Sequence, residues 1–332
     1  MLRIVFMGSD AIALPALQWL VAEGRSVAQI VGVFTQPDRE TGRGQKVHPN
    51  EIKLWALARG LPVLQPEKIG AAERVQLAAL EPDLTLVMAY GHILKQDLID
   101  APRLGTFNLH TSVLPKYRGA SPIQTAIAGG DTETGVTLMR MVLQLDAGPV
   151  GSVERVVIAP LDTALEIDGK LAAACVPLLI RCLPAIASGT QIFTEQTHAE
   201  ATFCRRLEKA DGVLDFNQPA AKLAARINGL MPWPGCTAEI NGQSVKVGQA
   251  DTCNLLGYKP NEAGLVSGVD EAGLLVGTGQ GILRLRKLQR PGGKMLSAAE
   301  FLRGCPVAPG TRLSSHPMPA LVAREPFPRR KG

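Results

Sequence analysis

Short apolar segments alternate with segments of helical spacing along the first half of the chain, and this alternation limits the possible folds more than any other feature. Leu2–Phe6, Gln29–Thr35 and Leu84–Ala89 have the composition of buried strands. Pro15–Ala22 and Pro49–Gly60 lie between them and have the spacing and start signals of helices. The pattern predicts a doubly wound, Rossmann-like α/β domain with a parallel sheet, whose functional residues lie at the carboxyl ends of its strands.

The pattern continues with predicted strands at Thr106–Leu109 and Gly135–Met141 and a predicted helix at Pro122–Ala128. It changes from about Gly235, where short apolar segments alternate with glycines, and this change predicts a smaller, OB-like β-barrel domain. We therefore expect four consecutive segments: a first domain over residues 1–189, a linker over 190–212, a barrel over 213–316 and a flexible tail over 317–332.

The composition is that of a folded protein and excludes disorder as the main state, because 46% of the 332 residues are apolar and 20% are charged. No run approaches the roughly 18 charge-free apolar residues that would span a bilayer, and the N-terminus lacks the features of a signal peptide. We therefore expect a cytoplasmic protein with no membrane partner. The six cysteines form no CxxC pair, so neither a zinc site nor a disulfide framework is indicated.

Positive charge is concentrated in the last third of the chain. Residues 211–332 contain 15 Lys and Arg against 9 Asp and Glu, whereas residues 1–210 contain 20 against 21. A basic segment that follows a neutral one suggests a polyanionic partner, although an excess of this size is also common in proteins that bind no nucleic acid.

The turn after the first strand does not fit a dinucleotide-binding site. It reads Met7-Gly8-Ser9-Asp10-Ala11 and lacks the GxGxxG glycines that let a main chain approach a pyrophosphate, and the Asp10 carboxylate would repel the phosphates. The chain also contains no GxxxxGK[ST], HExxH or GxSxG motif. These absences argue against an NAD-dependent oxidoreductase, a phosphate-loop enzyme, a zincin and a serine hydrolase.

Three polar side chains form a candidate catalytic group. In a strand over residues 106–110, the period of two places Asn108 and His110 on one face, and Asp146 follows the next predicted strand. When an amine attacks a formyl carbon, the carbonyl oxygen becomes an oxyanion, to which Asn108 and a protonated His110 could donate hydrogen bonds. Asp146 would favour the imidazolium and help to move the proton that the nitrogen loses. From spacing alone, ordinary strand and turn positions are the more common explanation of the same three residues.

The sequence resembles the methionyl-tRNA formyltransferase family, within the folate-dependent formyltransferases, over nearly the whole chain. The segments that carry the resemblance are Thr35-Gln36-Pro37-Asp38-Arg39 with Gly42-Arg43-Gly44, Pro66-Glu67-Lys68, Ala89-Tyr90-Gly91, Asn108-Leu109-His110 to Pro115, Tyr117-Arg118-Gly119-Ala120, Pro122-Ile123-Gln124, Gly135-Val136-Thr137, Leu145-Asp146-Ala147-Gly148 and Pro232-Trp233-Pro234-Gly235. The combination of Asn-x-His-x-Ser, Leu-Pro and a downstream Leu-Asp-x-Gly is specific for this superfamily.

The resemblance implies a catalytic first domain that transfers the formyl group of 10-formyltetrahydrofolate to methionine on initiator methionyl-tRNA, without a metal. It implies that Asn108, His110 and Asp146 are the catalytic residues. The folate contacts that it implies are Ser112, Val113, Leu114 and Pro115, together with Tyr90 and Gly91. Thr111 and Val113 depart from the family pattern but keep size and polarity, so we expect the folate contact to be retained.

The resemblance also implies how RNA is held. The long segment Thr35–Pro49 carries Arg39, Arg43 and Lys46 among glycines that permit close approach to phosphates, and it is similar to the family's loop for the acceptor arm. Gln45 stands where the family commonly has lysine, which predicts a weaker phosphate contact there. In the basic barrel we expect RNA contacts at Lys246, Lys287 and Arg290. A monomer is the simplest expectation, because no coiled coil or apolar interface stripe is evident.

Two other functions share these features. A formyltransferase for an amino sugar nucleotide would use the same catalytic group but would need neither the basic loop nor a basic barrel. An RNA-binding module with an inactive enzyme fold would bind tRNA without turnover, although the retention of all three catalytic side chains argues against it.

Overall fold

The structure, a computed structural model, describes residues 1–41, 46–253 and 262–328. Its strands are β1 Leu2–Gly8, β2 Ala28–Phe34, β3 Arg39–Thr41, β4 Lys46–His48, β5 Val63–Leu64, β6 Leu84–Met88, β7 Thr106–His110, β8 Arg118–Gly119, β9 Glu133–Arg140, β10 Val150–Val157, β11 Phe203–Cys204, β12 Cys236–Ile240, β13 Gln243–Cys253, β14 Val266–Val269, β15 Leu274–Gly277, β16 Ile282–Gln289, β17 Leu296–Ser297 and β18 Val322–Ala323. Its α-helices are α1 Leu14–Val21, α2 Glu51–Leu57, α3 Ala71–Ala79, α4 Gln96–Ile99, α5 Pro122–Ala128, α6 Ala164–Ala187, α7 Ala220–Gly229 and α8 Ala298–Gly304.

The described chain divides into two compact units, each made of several segments. The first unit contains Met1–Arg118, Gly135–Val156 and Asp168–Ala201. The second unit contains the two segments between these and the rest of the chain. The boundaries at 189/190 and 212/213 remain predictions.

A seven-stranded sheet in the order β10-β9-β7-β6-β1-β2-β5 is the centre of the first unit. The strands β7, β6, β1, β2 and β5 are parallel. The sheet is buried on both sides. Val5 and Met7 on one side share a core with Leu77 of α3 and Leu98 of α4, and on α6 the Sγ atom of Cys175 lies 3.7 Å from Sδ of Met88. The predicted doubly wound α/β fold is therefore confirmed.

One edge of this sheet departs from the parallel arrangement. β9 runs antiparallel to β7, and the register pairs Phe107 with Arg140 and His110 with Thr137. The carboxyl end of β9 therefore lies beside the start of β7, not beside His110. The residues after β9 turn back into β10, and the main-chain nitrogen of Arg140 donates to the Pro149 carbonyl at 2.9 Å.

The second unit contains an antiparallel sheet in the order β12-β13-β16-β15-β14, with β17 paired to β16. The eleven-residue strand β13 pairs with both β12 and β16. Its pairing with β16 is irregular around Gly248, where an added Cβ atom would lie 2.6 Å from Met295. A core that includes Leu223, Ile227 and Phe301 covers one face of the sheet. The predicted smaller, OB-like second domain is therefore confirmed as an antiparallel β domain.

The segments predicted as a linker and as a flexible tail make specific contacts. Within the first unit, Thr194 forms an isolated β-bridge with Val150, and the ring of Phe193 stacks on Phe107 at 5.6 Å. Within the second unit, β18 pairs with β11, and Leu321 is buried. Apolar side chains and main-chain hydrogen bonds therefore hold parts of both segments in place. Residues 329–332 of the tail lie outside the described residues.

Helix α6 has 24 residues and is long and apolar enough, by length and composition, to cross a membrane. Half of its most apolar window is buried inside the structure, and Arg181 on this helix forms an ion pair with Glu154 at 2.6 Å. Cys175, Leu178 and Leu179 of the helix belong to the core. These contacts are those of a core helix in a folded protein.

Candidate active site

Strand β7 places Asn108 and His110 on the same side of the sheet, as the period of two predicts. Phe107 and Leu109, which alternate with them, are buried, whereas Asn108 is partly exposed. Among the residues that the structure describes, the Asn108 carboxamide has no hydrogen-bond partner. Its two N–H groups are therefore free to donate to a ligand.

His110 is held in a fixed orientation by the main chain. The residue is only 6% exposed, and its Nε2 atom lies 3.0 Å from the carbonyl oxygen of Tyr117. Because a carbonyl only accepts, Nε2 carries a proton and donates it. The other nitrogen, Nδ1, lies 3.8 Å from Oδ2 of Asp146, close enough for an ion pair when the ring is protonated. The structure therefore brings His110 and Asp146 together.

Asp146 reaches His110 from the turn between β9 and β10. Its φ is +47°, a left-handed conformation that costs energy for a residue with a side chain and often occurs at functional sites. At Gly148 in the same turn a Cβ would lie 1.9 Å from the Arg140 carbonyl oxygen, so only glycine fits. Tyr117, whose carbonyl holds His110, also has a positive φ of 59°.

Thr137 on β9 fixes the segment from Ser112 to Pro115. Its hydroxyl donates to the Ser112 carbonyl at 2.6 Å and accepts from the main-chain nitrogen of Leu114 at 3.2 Å. The Ser112 hydroxyl donates to the Lys116 carbonyl at 2.6 Å. Ser112 and Leu114 are buried, whereas Val113 and Pro115 are partly exposed. A ligand contact by this segment thus falls mainly to Val113, Pro115 and the main chain.

Tyr90 and Gly91 follow strand β6. The Tyr90 ring is buried in the same core as Phe34 and Leu98, and burial, with a smaller contribution from Glu73, raises the pKa of its phenol. Its main-chain carbonyl accepts from Ser9 Oγ at 2.9 Å. Gly91 is exposed, with a φ of +82°. Of these two predicted folate contacts, Gly91 is the exposed one.

Two family patterns match the chain: "Formyl transferase" over residues 2–183 and "Formyl transferase, C-terminal domain" over residues 206–306. Methionyl-tRNA formyltransferase of Ectopseudomonas mendocina is 41% identical over 301 residues, which cover 90% of this chain and 94% of the relative. The chain belongs to the methionyl-tRNA formyltransferase family. The enzyme of that name from Geobacter metallireducens is 38% identical, with 94% of this chain and 98% of the relative covered.

Among solved structures, an N-formyltransferase from Helicobacter canadensis, in complex with folinic acid and dTDP-3-aminofucose, has a similar fold. The TM-score is 0.64 at 18% identity, and the match covers 86% of this chain and 99% of the other. At this identity the similarity concerns the fold alone. The sequence motifs indicated membership of the methionyl-tRNA formyltransferase family. The relatives with about 40% identity confirm it.

In the segment predicted to contact the acceptor arm in this family member, the described residues include two short paired strands, β3 and β4. β3 and β4 pair antiparallel, with Arg39 opposite His48 and Thr41 opposite Lys46. Arg39 and Lys46 are exposed, and Nη2 of Arg39 donates to Oε1 of Gln36 at 2.9 Å. Arg43 lies outside the described residues.

The basic residues predicted to contact RNA in the second unit lie on or beside neighbouring strands. Lys246 is on β13 opposite Gln289 of β16, and Lys287 is on β16 opposite Gln249. Lys287 and Arg290 are exposed, whereas Lys246 is partly buried and its Nζ donates to the Pro232 carbonyl at 2.7 Å. Lys246 therefore also stabilises the turn that contains Pro232.

Two buried residues of this family member that are associated with the turn around Asp146 were not predicted as site residues from the sequence. Arg118 and Gln196 are buried and hydrogen-bonded to each other, and Gln196 also binds main-chain carbonyls around Asp146. Gln196 lies in the predicted linker, where no motif marks it. Among the described residues, no three His, Cys, Asp or Glu side chains are grouped to hold a metal ion.

Proposed function

We propose that this chain transfers the formyl group of 10-formyltetrahydrofolate to the α-amino group of methionine on initiator methionyl-tRNA. The observation that carries the proposal is the pairing of His110 with Asp146 beside Asn108, in a chain 41% identical to a methionyl-tRNA formyltransferase. The product would be N-formylmethionyl-tRNA, which is used in translation initiation.

The reaction exchanges one C–N bond for another. The neutral α-amine attacks the formyl carbon, a new C–N bond forms, and the formyl oxygen takes the electron pair of the C=O bond. Collapse of this intermediate restores the carbonyl and breaks the bond to N10 of the folate. The proton that the α-nitrogen loses is balanced by the proton that N10 gains, so no oxidant or reductant is needed.

Asn108 and His110 would act on the oxyanion. The Asn108 carboxamide supplies an N–H donor that needs no reorganisation, because it has no hydrogen bond to give up among the described residues. In His110, Nε2–H is engaged by Tyr117, so Nδ1 is the nitrogen that exchanges a proton with the reacting atoms. Asp146, at 3.8 Å, stabilises the ring when Nδ1 is protonated and assists proton transfer to N10.

The folate would bind beside the ends of β6 and β7. Gly91 is exposed after β6, and the segment from Ser112 to Pro115 follows His110 directly. Hydrogen bonds from Thr137 hold the main chain of this segment, so the segment keeps its shape without a ligand. Such a preformed edge suits a flat, polar pterin ring.

The tRNA would be held mainly through its phosphates. Arg39, Arg43 and Lys46 of the segment Thr35–Pro49 would contact the acceptor end, and Lys246, Lys287 and Arg290 would contact the RNA backbone elsewhere. A chain that acts on tRNA in this way would work in the cytoplasm. We further propose that it is a monomer.

The alternative acceptor is an amino sugar nucleotide, which the solved structure from Helicobacter canadensis contains. That protein shares 18% identity with this chain, against 41% for the methionyl-tRNA formyltransferase of Ectopseudomonas mendocina. The net positive charge of the last third also favours a polyanionic acceptor over a small nucleotide sugar.

The test is a direct assay of both acceptors. The purified chain is incubated with 10-formyltetrahydrofolate and either methionyl initiator tRNA, methionyl elongator tRNA or a dTDP-amino sugar, and the formylated product is measured by mass spectrometry. We expect formyl-methionine from the initiator tRNA and little from the other two. Product only on the amino sugar would support the alternative, and tRNA binding without product would indicate a binding module.

A further inference from the structure

Gln196 is a buried carboxamide in which every hydrogen-bonding position is used. Its Oε1 accepts from Nε of Arg118 at 3.1 Å and from Nη2 of Arg118 at 2.7 Å. Its Nε2 donates to the carbonyls of Asp146 at 2.9 Å and Gly148 at 2.7 Å. Because arginine only donates and a carbonyl only accepts, these partners determine the orientation of the amide.

We propose that Gln196 is a positioning residue for the catalytic carboxylate of Asp146, an inference that rests on the proposed function. The two donated hydrogen bonds bind the turn on either side of Ala147 and so hold the main chain of Asp146 in its left-handed conformation. A main chain in that conformation persists only where its surroundings stabilise it. In this position the carboxylate faces Nδ1 of His110.

Arg118 links the same amide to the charge of the site. The residue is 1% exposed; burial lowers the pKa of its guanidinium, and the nearby Asp146 carboxylate raises it. Its Nη2 atom also lies 3.1 Å from Nδ1 of His198, which must accept. Gln196 therefore holds both the main chain that carries the carboxylate and a cation that interacts with it.

The segment around Gln196 is itself fixed to the first unit. Thr194 exchanges two main-chain hydrogen bonds with Val150, at 2.8 and 2.9 Å, and Phe193 stacks on Phe107. The side-chain amide of Gln191 donates to the Gly151 carbonyl at 2.8 Å. Val150 and Gly151 begin β10, the strand that follows the turn containing Asp146. The segment around Gln196 is therefore bonded to the strand into which that turn leads.

The variant Gln196→Glu tests the donated hydrogen bonds separately. A carboxylate of nearly the same shape still accepts from Arg118 but has no N–H for the Asp146 and Gly148 carbonyls. We expect kcat to fall by about 10- to 100-fold, as a displacement of about 1 Å at a reacting group produces, with the KM values for donor and tRNA nearly unchanged. The pH profile of kcat should also shift relative to that of the wild type.

Asn228→Asp is the matched control. Asn228 is also a buried carboxamide, and its Nδ2 donates to the Ala250 carbonyl at 2.9 Å within the second unit. We expect this variant to lower the melting temperature while kcat and its pH profile stay as in the wild type. An equal loss of kcat in both variants would mean that any buried amide has this effect, and it would overturn the role of Gln196.

Crystal structures of the wild type and Gln196→Glu, without substrates, separate this inference from the proposed function. We expect the distance from Asp146 Oδ2 to His110 Nδ1, 3.8 Å here, to differ by about 1 Å in the variant. An unmoved carboxylate with wild-type kcat would refute the inference even if the chain formylates tRNA. A moved carboxylate in a chain whose wild type leaves tRNA unformylated would refute only the proposed function. If Gln196→Glu does not fold, Gln196→Ala is measured in the same way.

Discussion

His110 donates its Nε2 proton to the main-chain carbonyl of Tyr117, at 3.0 Å. This hydrogen bond determines which ring nitrogen is available for chemistry. It occupies Nε2, so Nδ1 is the nitrogen that points toward Asp146. The ring cannot rotate to present the other nitrogen without losing a buried hydrogen bond. The roles that we propose for the two nitrogens of His110 therefore depend on a main-chain atom seven residues further along the chain.

Replacing His110 with alanine should abolish most turnover without weakening tRNA binding. If the imidazole acts in the transition state, as we propose, kcat should fall by about 10²- to 10⁴-fold while the Kd for tRNA changes little. Single-turnover assays and filter binding measure the two quantities. His316→Ala, at an exposed position in the second unit, is the control and should keep wild-type turnover. Substantial turnover by the His110 variant would refute the mechanism.

Arg43→Ala should weaken the use of tRNA and reduce its dependence on salt. If Arg43 neutralises one phosphate, the slope of log Kd against log salt concentration should fall by about 1. The measurement is a salt titration of tRNA affinity between about 50 and 200 mM. Arg74→Ala, which removes an exposed arginine on α3, should leave the slope unchanged. An unaltered slope for the Arg43 variant would indicate that this residue is only solvated.

Asp168 on α6 should make the protein less stable as the pH rises. Burial, and secondarily Asp10, raise its pKa from 3.8 to about 6. Between these two values the folded chain binds the proton more tightly than the unfolded chain does, so the free energy of unfolding falls as the pH increases through this window. We expect Asp168→Asn to stabilise the protein by about 1–2 kcal/mol at pH 8 and by little at pH 4.

Urea denaturation of the wild type and Asp168→Asn at both pH values checks this prediction. Asp97→Asn, at an exposed position of α4, is the control and should show no such difference. If Asp168→Asn instead lowered the free energy of unfolding at pH 8, the charged carboxylate would make favourable contacts and the prediction would be wrong.

Removing the C-terminal segment should destabilise the second unit. A chain that ends at Pro317 loses the buried side chain of Leu321 and the carbonyls of Pro319 and Ala320, which accept from Arg226 and Arg205. We expect a loss of about 2–4 kcal/mol in the free energy of unfolding. A chain that ends at Pro328 keeps these groups and should match the full-length protein in thermal melts. Equal stability of both truncated chains would support the flexible tail that the composition predicted.

The alternation of strands and helices could be predicted because the spacing of apolar residues differs between the two. The helix Pro122–Ala128 was predicted with the bounds that the structure has. The direction of β9 could not be predicted, because an apolar strand has the same pattern whichever way it runs. Helix α3 was not predicted either, since Leu77 is its one buried residue and it therefore lacks an apolar stripe.

Only part of the candidate site could be predicted. The shared face of Asn108 and His110 follows from the period of a strand, and the sequence motifs singled out Asp146. The Tyr117 carbonyl and the Gln196 amide could not be found from the sequence, because a main-chain oxygen has no signature and Gln196 is 50 residues from its partner.

The antiparallel edge of the sheet places His110 and Asp146, the proposed catalytic pair, on different elements. The imidazole belongs to β7, whereas the carboxylate belongs to the turn between β9 and β10. An insertion in that turn would thus redirect the carboxylate while every strand register of the sheet is retained. Laboratory evolution toward bulkier or less basic amines should accordingly begin with the length of this one turn.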